Sequence, residues 1–100
     1  MSTLYLSEYT TVCAVGGVAI AQAAQEPAPV EQALSISASP TQSAAFGSTT
    51  NFVRVHCDVV CSVLFGSNPT AVTNAKRLAA NQTEFFGVQP GQKLSVILNA

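Results

Sequence analysis

From Val53 to Phe65 every second residue is apolar: Val53, Val55, Cys57, Val59, Cys61, Val63 and Phe65. Phe52, Arg54, His56, Asp58, Val60, Ser62 and Leu64 alternate with them. A helix would scatter the apolar set around its circumference, whereas a strand gathers it on one face. The stripe therefore predicts one long strand over 52–65, or two strands joined by a bend near Asp58, because ordinary strands rarely exceed about 10 residues. Its apolar face needs a second layer to cover it, which makes this segment the centre of the fold.

Other segments repeat the pattern on a smaller scale. Residues 1–9 alternate loosely, a short strand-like stretch with Leu4 and Leu6 on one side and Tyr5 on the other. Over 33–39, Leu34, Ile36 and Ala38 oppose Ser35, Ser37 and Ser39, as in a half-buried strand. Residues 40–50 form a loop rich in turn formers, with Phe46 as a plug into the core. The stretch 66–75 is another such connection. Thr83–Val88 and Lys93–Leu98 read as strands around Gln89-Pro90-Gly91-Gln92, a type II turn by its Pro and Gly, so 83–98 is expected to be a hairpin. No 3.6-residue period persists over three turns. These signals predict an all-β domain, a small β-sandwich or jelly-roll-like barrel.

The N-terminal third is expected to stand apart. Pro27 and Pro29 impose extended geometry and stop any helix, so 25–32 reads as a linker. Residues 1–32 are accordingly expected to form an extended N-terminal arm, and 33–100 the sandwich body. An arm of this length spans roughly 100 Å when extended, enough to cross onto a neighbouring subunit by strand addition. The apolar run 12–24 imitates a secretory leader. However, residues 1–11 hold no Lys or Arg and do hold Glu8, against the charge rule for signal peptides. The run is too short to span a bilayer, and no membrane association is expected.

Charge narrows the function. Only 9% of residues are charged and the net charge is −1, with Arg54, Lys76, Arg77 and Lys93 the only cations. No basic stripe exists to displace phosphate counterions, so nucleic acid is not an expected partner. A chain with so few charges presents Ser, Thr, Asn, Gln and Ala to solvent, or hides part of its surface in an assembly.

The densest cluster of reactive side chains is His56, Cys57, Asp58 and Cys61. Along a straight strand Cys57 and Cys61 stand about 13 Å apart, so a disulfide requires a sharp bend at 58–60 and is disfavoured. A zinc site lacks paired ligands, because neighbouring His56 and Cys57 point to opposite faces. His56 is the sole histidine, and no nucleophile elbow, cysteine-protease signature, phosphate loop or dinucleotide fingerprint accompanies it. No enzyme activity, cofactor or metal is expected. Arg54, His56 and Asp58 instead form a polar stripe on the face opposite the apolar one, a possible contact surface. Asn81-Gln82-Thr83 matches a glycosylation sequon, relevant only in a eukaryotic secretory pathway.

Three segments together resemble a group of small proteins encoded among the structural genes of tailed bacteriophages. They are MSTLYLSEY with AQAAQEPAP, the centre VRVHCDVVCSVLFGSNPTA, and the end RLAANQTEFFGVQPGQKLSVI. The most specific part is the pairing of FGSNPTA with EFFGVQPGQKLSVI, and the resemblance covers most of the chain. It implies a compact β domain of the virion, a capsid decoration or cement protein made in the bacterial host cytoplasm and carried on the capsid surface. The implied partners are the major capsid protein or other virion proteins, and further copies of the chain. The arm anchors are expected to be Leu4, Tyr5, Leu6 and Tyr9, with Arg54, His56 and Asp58 as further assembly contacts. The rival readings are a tail or fibre component that contacts the host surface, and a secreted β-domain protein.

Overall fold

The structure, a computed structural model, describes residues 2–15, 18–24 and 26–99. Ten strands account for its regular structure: β1 (Thr3–Tyr9), β2 (Val12–Val15), β3 (Val18–Ala24), β4 (Val30–Ser35), β5 (Thr41–Gln42), β6 (Phe52–Cys57), β7 (Cys61–Gly66), β8 (Lys76–Leu78), β9 (Thr83–Gly87) and β10 (Lys93–Leu98). They form two four-stranded antiparallel sheets, in the orders β4-β1-β6-β9 and β5-β10-β7-β8, and a separate β2–β3 hairpin. No helix occurs among the described residues. The fold is a small all-β sandwich.

The 53–65 stripe is two strands, and they lie in opposite sheets. The bend at 58–60 carries the chain across. Asp58 is still tied to the first sheet, its N–H donating to the Thr3 carbonyl at 3.3 Å while its Oδ1 accepts from the Thr3 N–H at 2.8 Å. Two residues later the Val60 carbonyl accepts from Asn99 N–H at 3.1 Å, beside β10 of the second sheet. Val53, Val55 and Cys57 on one side, with Cys61 and Val63 on the other, then face each other with no solvent exposure. Leu4, Leu6, Leu34, Ile36, Phe46, Leu78, Leu94 and Val96 complete the core, with Val59 and Phe65 packed at its margin.

Residues 3–9 are not an arm, and the expected boundary at residue 32 does not hold. β1 runs through the middle of the first sheet, Leu4 pairing with Leu34 on one side and with Cys57 on the other. Leu4 and Leu6 are fully buried. A strand whose backbone groups are paired on both edges and whose apolar face supplies the core belongs to the body. β4 likewise begins at Val30, inside the expected linker, and ends at Ser35; Ile36 is buried beyond it, but Ala38 is exposed. Among the described residues β2 and β3 form a separate two-stranded sheet, pairing only with each other.

A second correction concerns 83–98. The turn forms, with Gln92 N–H donating to the Gln89 carbonyl at 3.3 Å and Gly91 at φ +82°, the left-handed value its type II position requires. Yet β9 pairs with β6 and β10 with β7 and β5, so the two strands occupy different sheets and make no hairpin. The crossing is held from outside: Val88 N–H donates to Asn51, and Gly91 N–H to Phe46. The buried Phe46, 3% exposed, is the expected plug.

Candidate interaction face

The outer surfaces of the two sheets differ sharply. On the second sheet, Ser62 of β7 and Ser95 of β10 point outward yet are fully buried, because the 67–74 loop folds over them. Ser62 Oγ donates to the Thr73 carbonyl at 3.2 Å, and Ala71 N–H donates to Ser95 Oγ at 2.9 Å. Gln42 Nε2 donates to Asn68 Oδ1 and to the Pro69 carbonyl, and Asn99 Nδ2 to Ser62 and Thr73. The turn-rich connection read from the sequence thus covers part of this outer face, around Ser62 and Ser95, and leaves Leu64 of β7 38% exposed.

The outer face of the first sheet is more open: Ser7 and Tyr9 are buried on it, but Tyr5 and Phe85 are exposed. This face is a grid set by register: Ala33–Tyr5–His56–Thr83 in one row, Glu31–Ser7–Arg54–Phe85 in the next, and Tyr9–Phe52–Gly87 in the third. Aromatic rings link the rows. Tyr9 stacks on Phe52 with centroids 5.4 Å apart, Phe52 meets Phe85 at 6.3 Å, and Tyr5 meets His56 at 6.3 Å. Cross-strand pairs of this kind stiffen a sheet as well as decorate it. Tyr5 and Phe85 nevertheless remain 50% and 52% exposed.

Polar groups are interleaved with the rings. His56 Nδ1 lies 2.7 Å from Thr83 Oγ1, and Ser7 Oγ donates to Glu31 Oε1 at 3.2 Å. Tyr9, almost wholly buried, donates its hydroxyl to Glu26 Oε2 at 2.5 Å. Burial first, and then the Glu26 carboxylate, raise its phenol above the ordinary 10.0. Arg54 brings the one positive charge to the described part of this grid.

Of the expected contact residues, the structure brings Tyr5, Arg54 and His56 together on this face. Leu4 and Leu6 lie in the core, on the opposite side of β1, and are unavailable to a partner. Tyr9 borders the face as a buried support. Asp58 leaves the stripe, because its carboxylate is used to hold the Thr3 backbone at the bend. Phe52 and Phe85 were missed by the sequence reading. Phe52 shares the parity of Arg54 and His56, so extending their stripe by one step finds it. Phe85 adjoins Phe86, and two consecutive rings give no sign of which one points outward.

Two further polar features are structural in geometry. Glu8 is fully buried on the inner side of β1, its carboxylate accepting from Gln32 Nε2 at 2.7 Å, Gly47 N–H at 2.9 Å and Thr50 Oγ1 at 2.8 Å. These bonds fasten the 43–50 loop to the first sheet. Cys57 and Cys61 are free thiols buried at the β6–β7 corner, so the bend that a bridge would require is present. Burial, then the neighbouring Cys57 by charge and hydrogen bonding, push the Cys61 thiol up to about 12. The Cys13 thiol lies outside the described part of the structure. Among the described residues no group of three or more His, Cys, Asp or Glu side chains is placed to hold a metal ion.

Comparison with known protein families, with curated proteins and with solved structures gives no match.

Proposed function

We propose that the chain is a structural subunit of a bacteriophage virion, a decoration protein that stabilises the head by laying the outer face of its first sheet against capsid subunits. The observation that carries this reading is the outer face of the first sheet, which presents Tyr5 and Phe85 beside Arg54 and His56, whereas the 67–74 loop folds over Ser62 and Ser95 on the other outer face and leaves Leu64 38% exposed. Exposed aromatic side chains with an arginine are the residue types that dominate protein–protein contact energies. The low charge of the chain and the resemblance of its three segments to small phage structural proteins support the same reading.

The β2–β3 hairpin supports self-association. Residues 12–24 contain no charged residue, and a lone two-stranded hairpin is marginal in water. Its free edges offer a neighbouring copy, or a capsid subunit, backbone groups for strand addition.

The test is to locate the protein in particles of the phage that encodes it. Mass spectrometry of purified virions is expected to recover its peptides, and electron microscopy to place it on the head surface. A position on the tail would support the fibre reading instead, and absence from virions would overturn both.

A further inference from the structure

Cys57 is the last residue of β6 and Cys61 the first of β7, so they close the two sheets at one corner of the core. Both are fully buried and both point between the sheets. Their positions converge on the same neighbours. The Cys57 thiol donates to the Ala79 carbonyl at 3.1 Å, and Ala79 directly follows Leu78, which pairs in register with Cys61. On a straight strand this spacing would hold them about 13 Å apart; the 58–60 crossing instead turns both side chains into the same buried corner between the sheets.

We propose that Cys57 and Cys61 form an internal two-electron redox pair, whose disulfide staples the two sheets together where β6 passes into β7. The proposal stands on the geometry of this corner and is independent of the virion role. The chemistry is thiol–disulfide exchange with a low-molecular-weight disulfide such as oxidised glutathione. One cysteine loses its proton and attacks a glutathione sulfur, forming a mixed disulfide and expelling one glutathione thiolate. The other cysteine, deprotonated in turn, attacks the protein sulfur of that mixed disulfide and expels the second glutathione thiolate. Two protein thiols are oxidised and one glutathione disulfide is reduced to two glutathiones. Reducing cytoplasm keeps such a pair as thiols, and an oxidising exterior drives it to the bridge. Because both sulfurs are buried, exchange proceeds through local opening of the corner and accelerates with rising pH, as more thiolate becomes available.

The test uses the full chain with Cys13→Ser, which removes the third thiol, alongside the unaltered protein. Each is incubated with oxidised glutathione, denatured, alkylated and digested with trypsin. Cleavage after Arg54 and Lys76 places both cysteines in one peptide, 55–76. The proposal predicts that this peptide loses two hydrogens and carries neither alkyl group nor glutathione. It also predicts that the thermal midpoint of the oxidised protein rises by roughly 5–10 °C over the reduced form, as closing a short loop in a domain of this size implies. A doubly alkylated peptide, or one that stops at the glutathione adduct, overturns the redox pair. A midpoint unchanged or lowered by oxidation overturns the staple.

Discussion

Glu8 and Thr50 lie 42 residues apart in the chain and meet inside the sandwich, where the Thr50 hydroxyl donates to the Glu8 carboxylate at 2.8 Å. The same oxygen takes the Gly47 N–H, and the other takes Gln32 Nε2. Gly47 is suited to this approach, since a Cβ there would stand 3.3 Å from Thr50 Oγ1. A buried carboxylate is tolerated when its oxygens are satisfied, and removing it strands its donors. Glu8→Ala is therefore expected to cost about 3 kcal/mol, measured by urea unfolding. A midpoint equal to that of the unaltered protein would contradict the anchoring role.

The position of β1 gives a second prediction. Deleting residues 1–9 removes a central strand and should abolish cooperative unfolding, leaving a chain without slowly exchanging amides. Leu6→Ala, a milder change, is expected to cost about 3 kcal/mol through lost burial and the cavity left behind. A truncated chain that still melts cooperatively would place β1 outside the folding unit.

These two segments also mark what was legible in the sequence. Period two over 53–65 located both central strands and parted their faces correctly, Val55 inward and Arg54 and His56 outward. It is silent about the sheet a strand joins, because Cys57 and Cys61 keep the same parity whether the chain runs straight or crosses at 58–60. The 89–92 turn was readable from Pro90 and Gly91, but reversing the chain does not decide whether β10 lands beside β9 or opposite it. That choice rests on Asn51 and Phe46, far away in sequence. β1 was misplaced for a related reason: Leu4 and Leu6 look alike as arm anchors and as core. The outer face was half legible, since Arg54 and His56 fall on one stripe, whereas Tyr5 and Phe85 join it only through register across three strands.

Alkaline pH offers a third test. Cys61 is pushed from 9.0 to about 12 by burial and then by Cys57, and Tyr9 is raised above 10.0 by burial and then by Glu26. Both groups are neutral when protonated, and the folded state keeps its protons to higher pH than the unfolded one. Their contribution is full below about pH 9 and is lost progressively as pH climbs through the folded values, about 12 for Cys61 and above 10.0 for Tyr9. Each group adds a slope of at most about 1.4 kcal/mol per pH unit. Urea midpoints collected from about pH 8 to about pH 11 should fall, the decline beginning earlier than the tyrosine range. Cys61→Ala should delay that onset, and a flat profile in the unaltered protein would contradict the burial of both groups.

The outer face of the first sheet carries the functional claim, and its exposed rings can be removed without touching the core. The double variant Tyr5→Ser, Phe85→Ser is expected to lose no more than about 1 kcal/mol of stability, as partly exposed positions do. The decisive measurement is co-sedimentation of this variant with phage heads that lack the protein, against the unaltered chain at matched concentrations. The account predicts at least about a tenfold loss of head binding while the unfolding transition remains cooperative, as expected when two contact-centre aromatics are removed. Full binding by the folded double variant would contradict it.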